Sequence, residues 1–210
     1  MLHEATSSPG PGRRHAHVQV LNKSAIVLTV ACWESYIEGL AIQAFDFLLK
    51  SARNPSTFPD KVLTVASRDL RSDHDARKIW VLAGDGWRAI LEGHKAAVLK
   101  EFVGGLNTPR PKQVDAMFEC LLGMHSLSTL WRWRGMPNNR AKDQLEDLIT
   151  LRGEIAHNVR TSRYVQKVRV ERAITLVQNL AVVSSNRVRS YVSERTGATP
   201  WVSMTFRRTG

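Results

Sequence analysis

Residues 26–44 read IVLTVACWESYIEGLAIQA, and this stretch decides the fold class. Its apolar residues recur at alternating spacings of four and three: Ile26, Val30, Trp33, Ile37, Leu40 and Ala44. Such spacing keeps side chains on one face of an α-helix, where they can pack against neighbouring helices. The pattern predicts a long helix over residues 17–53, which Asn54 and Pro55 end because proline disfavours a helical residue before it.

The rest of the chain repeats the helical pattern and shows no β alternation of consequence. Shorter helices are predicted within 59–83, over 87–103, from Thr108 or Pro111 to 123, and over 140–158. A last long helix is predicted over 165–195, with the apolar stripe Val170, Ile174, Val177, Ala181 and Val188. The sequence therefore predicts an all-α helical bundle in which two long helices flank shorter ones.

The helical pattern also divides the chain into three parts. Residues 1–16 are rich in proline, glycine and polar residues, which predicts a disordered lead-in. Residues 17–196 form the helical domain. Residues 197–210 form a tail whose apolar residues, Trp201, Val202, Met204 and Phe206, are expected either to dock on a partner or to add a strand-like extension.

The charge balance points to an anionic partner. Among 210 residues, 30 are Lys or Arg and 19 are Asp or Glu, which gives a net charge of +11. Nucleic acid is favoured ahead of a membrane surface. The first residues lack the apolar core of a signal peptide, and the near-apolar run Ala25–Trp33 is too short to span a bilayer. Cys32 and Cys120 are predicted to be small core residues. Because two thiols make no disulfide scaffold, we expect a reducing, cytoplasmic location, and we expect no membrane association.

The segment Leu151–Asn158, LRGEIAHN, carries the candidate catalytic residues. Arg152 lies within the stripe formed by Ala141, Leu145, Leu148 and Ile155, so it should face another helix. An unpaired buried guanidinium costs several kcal/mol, and this cost predicts that Arg152 is paired or faces a cleft. His157 points about 140° away on an ideal helix. The two side chains can converge near a helix end, where Asn158 can bend the backbone.

Arginine and histidine together suit phosphodiester chemistry. They supply a fixed cation and a proton-transfer group that titrates near neutral pH. A plainer alternative is an arginine paired with a buried carboxylate and a histidine that caps the last helical carbonyls. Glu34 could orient His157, neutralise Arg152, or be an ordinary surface residue.

Other cations are candidates for RNA contact. In the loop Trp131–Arg134, Arg132 and Arg134 alternate with tryptophans, so the loop either stacks exposed bases or plugs the core. Phosphate contact, or a solvated face, is expected of the basic residues near the motif, which are Lys142, Arg160, Arg163 and Lys167. No Cys-x2-Cys, His-Glu-x2-His or glycine-rich phosphate loop is present, so we expect neither a metal site nor a cofactor.

Three segments, in this order, resemble the RiboL-PSP-HEPN group of HEPN domains: Ala31–Ile37, Asn107–Pro111 and Leu151–Asn158. Arg152 and His157 match the R-x4-H form of the HEPN motif. The resemblance implies a metal-independent endoribonuclease that dimerises so that two motifs meet in one cleft. It also implies that His157 acts on the ribose 2′-hydroxyl, while Arg152 stabilises the crowded phosphate. Many relatives are toxins or phage-defence effectors, restrained by an antitoxin or another inhibitory protein.

The sequence departs from the HEPN nuclease pattern at Gly153. Those nucleases often carry a polar residue, commonly asparagine, directly after the motif arginine. The departure favours an alternative, a catalytically inactive HEPN-like module that binds RNA or a partner protein. The small residues Gly153 and Ala156 would, however, let a second helix approach closely, as the dimer requires.

Overall fold

A computed structural model describes residues 11–72, 75–103, 109–157 and 164–206. These ranges contain seven α-helices: α1 Pro11–Ser51, α2 Asp60–Ala66, α3 Arg68–Ser72, α4 Gly86–Val103, α5 Pro111–Leu122, α6 Asn138–His157 and α7 Lys167–Thr196. Short 3₁₀ segments lie at Pro55–Thr57, Ala76–Leu82 and Leu127–Leu130. No strand occurs in the described ranges, and the prediction of an all-α bundle is confirmed.

The two long helices, α1 and α7, flank the shorter ones in sequence and are neighbours in space. The side-chain amides of Gln19 and Asn22 donate to the carbonyl of Val165, just before α7. Further along, the Tyr36 hydroxyl donates to the carbonyl of Ala181 at 3.1 Å. Because nearly the same sequence offset separates both pairs, α1 and α7 run in parallel.

Two wholly buried tryptophans lie at the centre of the core. The rings of Trp33 and Trp131 meet edge to face, with centroids 5.7 Å apart. The Trp33 indole N–H donates to the carbonyl of Pro109 at 3.1 Å, and the Trp131 N–H donates to Ser184 Oγ at 2.9 Å. Both polar atoms are satisfied, as burial requires. Of the two interpretations of the aromatic loop, the core plug is therefore correct for Trp131.

Both ends of the domain differ from the prediction. Helix α1 begins at Pro11, six residues earlier than expected, because proline is well tolerated in the first turn of a helix. After α7, the Trp201 N–H donates to Ser185 Oγ at 3.0 Å, and Met204 exchanges two backbone hydrogen bonds with the Asn186 side chain. The tail thus lies along α7 of its own chain, as far as Met204.

Three predictions of burial are wrong. Cys32 and Cys120 are exposed, because each is next to a buried residue but points about 100° away from it around the helix. Ile174 is 41% exposed, whereas its neighbour Ala173 is buried. Val170, Val177 and Val188 of the predicted stripe are buried, so the prediction for α7 fails at Ile174 and not along the whole face.

The apolar character of α1 exceeds the expectation from the Ala25–Trp33 run. Over Val18–Ser51 this helix is long and apolar enough to cross a membrane by length and composition alone. Core helices of globular domains pass the same criterion, and 39% of the apolar window is buried inside the protein.

Candidate active site

Helix α6 carries both motif residues near its end. Its buried stripe contains Ala141, Leu145 and Leu148, as predicted, and continues through Leu151. Arg152 is half-buried, one turn after Leu148. The described part of α6 ends at His157. The side chain of His157 lies outside the described residues, as do the predicted auxiliary residue Asn158 and the predicted RNA contacts Arg160 and Arg163.

Arg152 has no partner among the residues that the structure describes: none of them forms a hydrogen bond or an ion pair with its guanidinium. Glu34 is half-buried on α1 and does not neutralise this charge. Its electrostatic effect falls on Glu38 instead. The pKa of Glu38 is raised above its ordinary value, mainly by burial and then by the charge of Glu34. A half-buried cation without a carboxylate suits a cleft-facing role better than a structural ion pair.

Hydrogen bonds join α1 to the residue just before α7, a few residues after the motif in the sequence. Val165 is wholly buried, and its N–H donates to Gln19 Oε1 at 2.9 Å. Its carbonyl accepts from Gln19 and Asn22 at 3.0 and 2.8 Å. Only six residues separate His157 from Tyr164. The motif therefore lies at the end of the bundle where α6, the start of α7 and the first half of α1 come together.

The segment before α5 contributes a residue to which the sequence assigned no function. The Arg110 guanidinium forms an ion pair with Glu146 on α6 and donates to Thr150 Oγ1 at 3.5 Å. The preceding carbonyl, of Pro109, accepts from Trp33 on α1. Two of the three segments singled out above are thus in contact, through Trp33 and Pro109, and Arg110 joins them to α6 just before the third segment begins. The contact with Thr150 joins Arg110 to α6 two residues before Arg152.

The other predicted RNA contacts are spread along α6 and the start of α7. Arg132 and Arg134 are exposed on a tight turn closed by two backbone hydrogen bonds between Trp133 and Met136. This turn precedes α6, so it lies about 20 Å from Arg152 at a rise of 1.5 Å per residue. Lys142 is half-buried on α6. Lys167 is exposed and lies 3.4 Å from Glu171. The structure does not bring Arg132 and Arg134 to the motif.

The described residues contain no group of three or more histidine, cysteine, aspartate or glutamate side chains that could hold a metal ion. Helix α6 carries the Arg152 guanidinium and, five residues later, His157.

Comparison with known proteins gives one match. A family model described as RiboL-PSP-HEPN matches residues 2–186. The comparisons with curated proteins and with solved structures gave no match.

Proposed function

Because this chain belongs to the RiboL-PSP-HEPN family, we propose that it is a metal-independent endoribonuclease. The observation that carries the proposal is Arg152, a half-buried cation without a described partner, on the helix that also bears His157. A half-buried guanidinium without a described partner keeps its N–H donors available, and an anionic phosphate can accept two parallel hydrogen bonds from it. The net charge of +11 favours RNA as the source of that phosphate.

The proposed reaction needs only these two side chains and the RNA itself. His157 takes the proton from a ribose 2′-hydroxyl, whose oxygen forms a bond to the adjacent phosphorus. The bond from phosphorus to the 5′-oxygen of the next nucleotide breaks, and that oxygen takes up the proton that the His157 imidazole had accepted. Arg152 stabilises the negative charge on the non-bridging oxygens as five oxygens crowd the phosphorus. The products are a 2′,3′-cyclic phosphate and a 5′-hydroxyl.

The outer face of α1 supports the proposed homodimer. Leu21 and Leu28 lie two turns apart and are 69% and 64% exposed, near the motif end of the bundle. Large apolar side chains exposed in one row are typical of a surface that another protein covers. A two-fold axis that runs along this face, parallel to α1, would place the same patch of both subunits together and bring two copies of the motif to the same end of the dimer.

For the cellular role we propose a toxin or phage-defence effector, held inactive by an antitoxin or another inhibitory protein. This part rests on the family resemblance. A cytoplasmic location is supported by Cys32 and Cys120, because exposed free thiols persist best in a reducing compartment.

The test is cleavage of a fluorescently labelled RNA by purified protein in EDTA. The unmodified chain should cut and leave 2′,3′-cyclic phosphate ends, and His157→Ala should cut about 10²–10⁴-fold more slowly while it still binds RNA. Cleavage by His157→Ala at the parent rate would show that the imidazole has no catalytic role.

Gly153 supports a second candidate, the inactive RNA-binding module. A Cβ atom built on Gly153 would have no neighbour within 4 Å, so a side chain can begin here without a clash at Cβ. If glycine alone silences the motif, the parent chain should bind RNA without cutting, and Gly153→Asn should acquire EDTA-resistant cleavage. Gly93→Asn is the matched control, because Gly93 is also helical and equally free of neighbours. Strong cleavage by the parent chain would rule this candidate out.

A further inference from the structure

A groove runs between α6 and the first turns of α7, with a volume of about 730 Å³. Trp133 and Met136 lie at one end of it, beside the start of α6. A volume of this size suits a small organic ligand or a short segment of a polymer. The groove belongs to neither the motif nor the α1 face described above.

The charges of the groove are mainly positive. Arg140, Arg169 and Arg172 line it, and none of them forms an ion pair with a described residue. Two carboxylates, those of Asp147 and Glu171, also line it, but Lys167 lies 3.4 Å from Glu171 and offsets its charge. Three guanidiniums without described partners can each contact a phosphate.

The floor and rim of the groove suit unpaired bases. Leu148 and Leu176 give it an apolar surface, and the half-buried Trp133 offers an aromatic one. Gln144 and Asn179 add amide groups that can both donate and accept hydrogen bonds at base edges. In a duplex the bases are stacked inside and cannot reach such a surface, so only a single strand can use it.

The groove leads to the motif. Leu148, which lines it, is one helical turn before Arg152 on the same side of α6. Arg140, at the far end, is twelve residues before Arg152, which corresponds to about 18 Å along the helix. A strand whose phosphate sits at Arg152 can therefore continue along the groove for a few nucleotides.

We propose that the groove between α6 and α7 holds the unpaired RNA segment next to the cleaved phosphate, with Arg140, Arg169 and Arg172 as its phosphate contacts. The groove thereby selects single-stranded RNA over duplex RNA. This inference rests on the proposed function, since it names the substrate class and the binding surface of the same enzyme.

The experiment measures binding of a fluorescein-labelled uridine 12-mer by fluorescence anisotropy across a range of salt concentrations. The full chain carries His157→Ala so that the RNA stays intact. In this background, Arg140→Ala with Arg172→Ala should weaken binding at least about tenfold. It should also reduce the slope of log affinity against log salt by about 1.4, at roughly 0.7 per phosphate contact. The matched control is Arg187→Ala, an exposed arginine of α7 outside the groove, which should change the slope little.

The outcomes separate this inference from the proposed function. Equal losses in the groove variant and the control, or equal affinity for the 12-mer and for a duplex of the same length, would overturn the groove assignment even if the parent chain cuts RNA. If the parent chain does not bind single-stranded RNA, the groove assignment is also refuted, and a protein partner becomes the alternative occupant of the groove. Groove-dependent binding by a parent chain that never cuts would uphold the groove and refute the endoribonuclease.

Discussion

Replacing Arg152 by alanine should separate catalysis from folding, because the structure gives this half-buried arginine no described partner. No carboxylate of the described chain is left unpaired by the change. The loss in unfolding free energy should therefore stay within about 0.5–1 kcal/mol, most of it from packing of the aliphatic stem. Cleavage should fall about 10²–10³-fold, since a fixed positive charge is withdrawn from the transition state. Arg152→Lys should restore little, because an ammonium lacks the planar two-point contact with phosphate.

Arg110→Ala is the matched control, since Arg110 is also half-buried but pairs with Glu146 and Thr150. Its loss should cost up to about 1 kcal/mol of stability, the range for partly exposed ion pairs, with a much smaller loss of cleavage. Urea unfolding followed by circular dichroism gives the stability, and cleavage of labelled RNA in EDTA gives the rate. If Arg152→Ala unfolds the chain as easily as it stops cleavage, or if both variants lose activity equally, Arg152 has a structural role and the catalytic assignment is refuted.

Three further predictions concern the fold and the assembly. Trp131→Ala should lower the unfolding free energy by about 3–5 kcal/mol. Trp131→Phe should lower it by less, chiefly because the buried Ser184 hydroxyl loses its hydrogen-bond partner. Urea titration measures both losses, and a smaller loss for alanine than for phenylalanine would contradict this account of the core. Leu28→Glu should convert the proposed dimer to a folded monomer, as measured by light scattering. A dimer that persists in this variant would exclude the outer face of α1 as the interface. Glu38→Gln should raise the melting temperature at neutral pH, because burial and the Glu34 charge raise the pKa of Glu38, so that stability falls as pH rises through that pKa. The gain should vanish below the ordinary glutamate pKa of about 4.3. An equal gain at neutral pH and below that pKa would contradict this cause.

Local patterns in the sequence predicted the helices well. All six residues of the stripe from Ile26 to Ala44 are buried, and Ala141, Leu145 and Leu148 are buried on α6 as expected. These predictions succeed because the spacing of apolar residues fixes which face of a helix can be buried. The same rule failed for Ile174, which is 41% exposed, because the neighbouring Ala173 fills the buried position between Val170 and Val177. Periodicity gives the approximate face, but the neighbouring helix decides the exact phase.

For the candidate site too, the sequence indicated some features and the tertiary structure decided others. The sequence alone indicated Arg152 and His157, because their residue types and spacing suit phosphate chemistry within a helix. It left two alternatives open for Arg152, and the structure brings no carboxylate of the described residues to the guanidinium, which is why we propose the cleft-facing role. It also indicated Arg132 and Arg134 as candidate RNA contacts, and only the structure shows that the length of α6 places them about 20 Å from Arg152.

The sequence by itself determined the all-α class, the approximate helix boundaries and the basic charge, and it indicated the candidate site residues, since each of these depends on residue type and short-range spacing. Only the tertiary structure decided the parallel pairing of α1 with α7, the contact of Arg110 with α6, the docking of the tail on α7 and the groove between α6 and α7. These features join residues that are far apart in the chain, for example Gln19 with Val165 and Tyr36 with Ala181. Short-range spacing carries no information about such pairs, because their distance is fixed only when the helices pack around the shared core of Trp33 and Trp131.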